Sequence, residues 1–383
     1  MFSPFCHNRA WGNGLLILSA MALILATLFS RKQDNSYSQP MVFSADRPLP
    51  TQSCATCHEK ETIAFESSPH NRTLRTPRTL DGLERLNVSS VKIGNHESSW
   101  IVDQTNRTLL VQSDGWPQRL QVDWLFGSGS HAITPVSLLS DVEGRTELLE
   151  HHASWYPNIG IAATLGISNA NPTGSGIRAI GQLLNHEKAL ECFGCHSTHL
   201  SVIDGQLDDA GVVPGVQCAR CHTQTHEHVW AMENGQSTTF VDDWKKQTPL
   251  QSINRCGECH RRADQMTDDE LTPANRLLVR FAPVGMSQSA CFQRQEDVAE
   301  FATGKMQFNC TTCHDPHLSA LRDAGSYVKQ CLRCHGPDPG MALECKSQPI
   351  TSQCLSCHMP PVKVQDHLSF TNHWIGVHDT TDD

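Results

Sequence analysis

The sequence predicts a mostly irregular fold of short helices, organised by covalently attached prosthetic groups, with a small β-rich region on its N-terminal side. Three observations predict it. A Cys-x-x-Cys-His pattern recurs seven times in 383 residues, the apolar fraction is only 38% with aromatics at 6%, and six of the seven copies crowd into Cys192 to His358. A chain of this length that buries aliphatic cores normally carries more apolar residues, so something besides side chains must supply the interior.

The seven copies are Cys54/Cys57/His58, Cys192/Cys195/His196, Cys218/Cys221/His222, Cys256/Cys259/His260, Cys310/Cys313/His314, Cys331/Cys334/His335 and Cys354/Cys357/His358. Each has the attachment signature of a c-type haem: two thiols add across the porphyrin vinyl groups and the adjacent histidine becomes an axial ligand of iron. Structural zinc also uses Cys-x-x-Cys pairs, but a zinc knuckle closes with two such pairs and does not require a histidine after each. The predicted class is therefore a multihaem cytochrome c with seven covalently attached haem c groups, about one per 50 residues, whose apolar faces replace much of a side-chain core.

The elements follow in order. Residues 1–32 read as a signal peptide or N-terminal membrane anchor: His7 and Arg9 precede an uncharged run, Leu15 to Phe29, closed by Arg31 and Lys32. Ala20-Met21-Ala22 has the letters of a cleavage site but lies inside the apolar run, which favours an uncleaved anchor over a removed signal. Residues 33–50, rich in Ser, Gln and Pro, read as a tether. Residues 51–190 hold the first haem plus a β-rich region, in which Leu86–Ile93, Trp100–Asp103 and Leu109–Gln112 alternate between turn signals. Ala179 to Cys192 reads as a helix leading into the second motif. Residues 191–378 form a six-haem domain of short helices and loops, each helix beginning near a motif, and 379–383 are a polar tail.

The formal net charge is -10, and haem propionates would make it more negative. Nucleic acid is excluded as a partner; redox proteins with basic docking patches are expected, because opposite fields steer transient electron-transfer encounters. Haem attachment on the outer side of the cytoplasmic membrane places the body in the periplasm, tethered to that membrane through the N-terminus. Of 17 cysteines, the motifs leave Cys6, Cys291 and Cys345. In a disulfide-permissive compartment the last two either bridge or stay as buried thiols.

With 21 histidines in the chain, those outside the motifs exceed the number of distal iron faces, so bis-histidine ligation throughout is feasible. His199 and His317 each lie three residues after a motif histidine. So short a span cannot wrap to the far face of its own haem, so each ligates a neighbour or stands at a haem edge. His70, His131 and His228 are further candidates, and His367 and His373 look like a returning pair. His96, His151, His152, His186, His226 and His378 have no distinguishing placement.

Gly127-Ser-Gly-Ser-His131, Glu191-Cys-Phe-Gly-Cys-His196, Gly215-Val-Gln-Cys-Ala-Arg-Cys-His222, Ser289-Ala-Cys-Phe292, Cys310-Thr-Thr-Cys-His-Asp-Pro-His317, Cys354-Leu-Ser-Cys-His-Met-Pro360 and Phe370-Thr-Asn-His373 occur in this order. Together they resemble the periplasmic multihaem cytochromes c related to the tetrahaem shuttle of hydroxylamine oxidation, over roughly residues 52 to 378. The resemblance implies proximal roles for the seven motif histidines and distal roles for His70, His131, His228, His317 and His373. Departing from that family, these 383 residues contain no tetratricopeptide repeats and no Cys-x-x-Cys-Lys of the pentahaem nitrite reductases. The leading expectation is an electron carrier in a respiratory chain. The alternative is a multihaem oxidoreductase with one open-faced haem for a small nitrogen or sulfur compound, served by groups such as His151, His152 or Arg145.

Overall fold

Alternation of apolar and polar residues between tight turns builds the first part of the chain. The computed structural model describes residues 47–166, 176–236, 244–295, 307–320, 323–335 and 353–378. The expected anchor and polar tail lie outside these residues, as does Cys345 and with it the proposed bridge to Cys291.

Strands β1 (Leu74–Arg75), β2 (Val88–Ile93), β3 (His96–Asp103), β4 (Thr108–Ser113), β5 (Trp116–Gln121), β6 (Trp124–Phe126), β7 (Thr134–Ser140), β8 (Thr146–His151), β9 (Ala153–Tyr156), β10 (Gly160–Ala163) and β11 (Gly181–Leu184) follow one another. β2 to β5 form an antiparallel meander, and a second antiparallel sheet runs β1-β6-β7-β8-β11. The β2–β3 turn is the two-residue Gly94-Asn95 with Gly94 at φ +60°, the positive φ that a tight hairpin turn requires.

The five-stranded sheet separates two cores by its period of two. Leu125 and Leu149 face Trp100, Leu109 and Val111 of the meander. Their neighbours Trp124, Phe126 and Leu148, with Val136 of β7, face Ala189 and Phe193 on helix His186–His196. Phe193 is fully buried, edge-on to Trp124 at 5.8 Å and Phe126 at 5.1 Å. This packing holds the helix bearing the second motif flat against the sheet.

Where one helix over Ala179–Cys192 is expected, the chain instead completes the sheet with β11 and then starts helix His186–His196. Asn185 causes the break: its side chain accepts the Lys188 N–H at 3.1 Å as an N-cap. Gly181 suits β11 because a Cβ there would sit 2.3 Å from Glu150 O.

A second difference concerns the motif helices. His186–His196, Pro249–His260 and Ala324–His335 end on their motifs instead of beginning there. The i and i+3 spacing puts both thiols on one face of the final turn. Pro249–His260 is launched by a capping box between Thr248 and Gln251 with proline at its first turn. The motifs at Cys218–Cys221, Cys310–Cys313 and Cys354–His358 form their own single turns. Where a mostly irregular chain is expected, the described residues include eleven α-helices and six sheets.

Candidate haem-binding site

A single cavity of about 2980 Å³ runs through the motif-bearing half of the molecule, and every motif contributes to its wall. Of the fourteen motif cysteines only Cys57, which is exposed, is absent from the lining. Twelve histidines line it: the seven motif histidines together with His70, His131, His228, His317 and His373.

Four of these five stand opposite a motif histidine. His58 and His228 have ring centroids 6.4 Å apart, His260 and His70 6.2 Å, His222 and His317 6.3 Å, and His314 and His373 6.2 Å. Two imidazoles ligating one metal from opposite faces at about 2.0 Å each place their centroids roughly 6.3 Å apart. The donor set therefore fits a six-coordinate haem iron at four motifs. His131 lies against Phe370 at 5.2 Å, and His196 against Phe126 at 4.9 Å.

Backbone carbonyls orient these rings. Nδ1 of His196 donates to Thr73 O at 3.0 Å and Nδ1 of His358 to Gly376 O at 2.8 Å. Nδ1 of His373 donates to Thr371 O at 3.0 Å, and Nδ1 of His70 reaches Pro316 O at 3.4 Å. Nδ1 of His317 is 2.9 Å from Asp315 Oδ1. Such bonds fix the tautomer and leave Nε2 as the metal-facing nitrogen. Burial holds His196, His70, His131, His314 and His373 below the usual histidine range, and His260 falls to about 4 because His70, His196 and His373 add to its burial. These six rings are neutral near pH 7, the form a metal requires.

Thiols of different motifs also meet: Cys54 with Cys218, Cys195 with Cys259, and Cys256 with Cys310. Burial pushes Cys192, Cys221 and Cys331 up to about 11, so none of these three is an activated thiolate of the redox-exchange kind.

The remaining histidines lie off the cavity wall. His199 is buried on the short strand Ser197–His199. His226 donates Nε2 to Arg47 O at 3.0 Å, His378 donates Nε2 to Trp374 O at 2.7 Å, and His186 donates Nδ1 to Thr146 O at 3.1 Å. His96 bonds Asp114 at 3.1 Å. His367, expected to return with His373, packs instead on Tyr156 at 4.3 Å.

The groups suggested for an open-faced site are likewise elsewhere. His151 bonds Ser137 Oγ at 2.9 Å inside the sheet, and Arg145 pairs with Asp141 at 2.8 Å. His152 follows His151 at the end of β8, and none of the three lines the cavity. Alternation explains His151: Leu148 and Glu150 face the cavity, so His151 points the other way, while His152 lies beyond the end of β8. The motif-distant residues that do line it near Cys192 are Glu150 and Arg280. No sequence motif marks them, since both arrive there through tertiary packing.

Residues 168–223, which contain the second and third motifs, match the family model described as cytochrome c554 and c-prime. Among solved structures, the chain is similar to the outer cell wall cytochrome OcwA, at 14% identity and a TM-score of 0.49, over 86% of this chain and 80% of that one. A search of curated proteins returned no match. The motifs and the family match together support a multihaem cytochrome c. Among the described residues no helix is long and apolar enough to cross a membrane.

Proposed function

We propose that this chain is a heptahaem c-type cytochrome that carries electrons in a respiratory chain through bis-histidine haems. The observation that carries the reading is the pairing of four motif histidines with four non-motif histidines at 6.2 to 6.4 Å. Haem iron supplies one-electron chemistry between its ferric and ferrous states, and low-spin ligation on both faces suits transfer without substrate binding. The protein's part is to hold the imidazoles in fixed orientation through Thr73, Gly376, Thr371 and Asp315. The contacts Cys54–Cys218, Cys195–Cys259 and Cys256–Cys310 bring attachment points of different groups together, which favours short transfer steps.

In this reading residues 51–190 carry the first haem and 191–378 the other six. The body is periplasmic, tethered through 1–50, and exchanges electrons with redox proteins that present basic patches to its acidic surface. One observation favours a second reading, an oxidoreductase: His196 has an aromatic ring, Phe126, as its described ring neighbour, with Glu150 and Arg280 on the nearby wall. Electron paramagnetic resonance of the purified protein separates the two. Entirely low-spin haem unmoved by carbon monoxide, nitrite or hydroxylamine is the carrier outcome; a high-spin fraction that shifts on adding them would replace it with the enzyme.

A further inference from the structure

Arg72 and Arg85 lie within electrostatic reach of a third arginine, Arg75, in a chain whose formal net charge is -10, with Arg72 on the cavity wall. Arg72, at the end of the turn His70–Arg72, lies on the wall and donates Nη2 to Ser67 O at 2.6 Å. Arg75, on β1, donates Nη2 to Gly127 O at 3.2 Å. The Nε atoms of both are buried with no hydrogen-bond partner. Among the described residues, no ion pair joins either guanidinium to a carboxylate. Arg85 stacks over Trp155 at 4.5 Å.

This arrangement is costly as it stands. Burial, with the charges of Arg72 and Arg85, holds Arg75 down to about 10, and Asp81 offsets only part of that. Like charges in a partly dry environment repel unless an anion completes the group. The wall beside them presents hydroxyls and an imidazole: Ser128, Ser130 and His131. Gly127 places this loop, with φ +96° and a position where a Cβ would meet Ala132 O at 2.4 Å.

We propose that this wall is an oxyanion site of carboxylate-like chemistry, with Arg72 as the contacting cation and Arg75 as its supporting charge. Two sources fit that chemistry, a propionate of one of the attached haems or a free oxyanion entering from solvent. The inference rests on the haem reading above, and not on whether the haems carry electrons or turn over a substrate.

The test is a spectroelectrochemical titration of the holoprotein, as wild type and as Arg72→Gln, Arg75→Gln, Arg72→Lys and Arg75→Lys. Measurements are made in chloride buffer with and without acetate or inorganic phosphate. For a propionate, the glutamine variants shift one haem midpoint to more negative potential with or without added anion, because a cation that favours the reduced haem is gone, and the lysine variants retain the wild-type value. For a free oxyanion, wild type shifts negative on adding acetate or phosphate, and the glutamine variants lose that response. The proposal is overturned by variants that titrate as wild type with no anion response anywhere. It is equally overturned by lysine variants that shift as far as the glutamine ones, which would trace the effect to the lost bonds at Ser67 and Gly127. Failure of the carrier reading would appear separately, as high-spin haem in the wild type.

Discussion

His222 and His317 face each other across the cavity with ring planes 2° apart and centroids 6.3 Å apart. Ninety-five residues of chain separate them, yet Asp315 fixes His317 from two positions away, accepting both its backbone N–H and its Nδ1–H at 2.9 Å. The carboxylate therefore sets the ring before any partner is present. Removing the ring should open one iron face. His317→Ala is expected to convert one haem from low-spin to high-spin and make it bind carbon monoxide, while Asp315→Asn, which keeps the ring, leaves the spin state low. A carbon monoxide difference spectrum counts the reactive haem against total haem. An Ala variant as unreactive as wild type would remove His317 from the ligand set.

The motifs are legible in the sequence because thioether attachment and proximal ligation must come from one contiguous pentapeptide. The distal side has no such constraint. His70 and His260, or His314 and His373, meet only after the chain has folded, so local context marks a histidine without naming its partner. The same distinction holds for the sheets. The runs Trp100–Asp103 and Leu109–Gln112, and the run Leu86–Ile93 from Val88 onward, lie on strands whose alternation and turns are local. The order β1-β6-β7-β8-β11 is not local, since β1 has two residues and β11 joins from beyond a long excursion. Leu183-Leu184 falls within the helix expected over Ala179 to Cys192, but pairing with Leu148 and Leu149 of β8 makes it strand.

Phe193 is the point at which the sheet positions the second motif. Its ring is fully buried and makes two edge-to-face contacts, with Trp124 and Phe126. Phe193→Ala should destabilise the fold by about 3–5 kcal/mol, the cost of a large aromatic cavity. Denaturant unfolding followed by tryptophan fluorescence reads it. Phe193→Leu, which keeps most of the volume, should lose less than half as much.

Gly181 tests the sheet edge. A Cβ at this position would lie 2.3 Å from Glu150 O and 3.1 Å from His151 Cα, both backbone atoms of the paired strand. Neither can rotate away, so Gly181→Ala must push β11 off β8, at a cost of about 1–3 kcal/mol. Amide exchange on Leu148 to His151 should rise in the variant. Unchanged protection there would mean that the strands accommodate the methyl by sliding.

His151 gives the sheet a defined acid sensitivity. It is neutral and buried, with Nε2–H donating to Ser137 Oγ, because Ser137 already gives its own proton to Gln121 O at 2.6 Å. Burial, reinforced by His152, holds it down to about 3, against an ordinary value near 6.5. Between these values the unfolded chain binds a proton that the folded chain refuses, so stability falls as pH is lowered from about 6.5 towards about 3, by at most about 1.4 kcal/mol per pH unit from this residue. Above pH 6.5 both states are neutral and the penalty is absent. His151→Gln keeps a donor for Ser137 and removes the titration, so its unfolding free energy, measured in denaturant from pH 7.5 to 5, should decline less steeply than wild type. Equal slopes would mean that the ring finds a proton acceptor inside the sheet and is charged in the folded state.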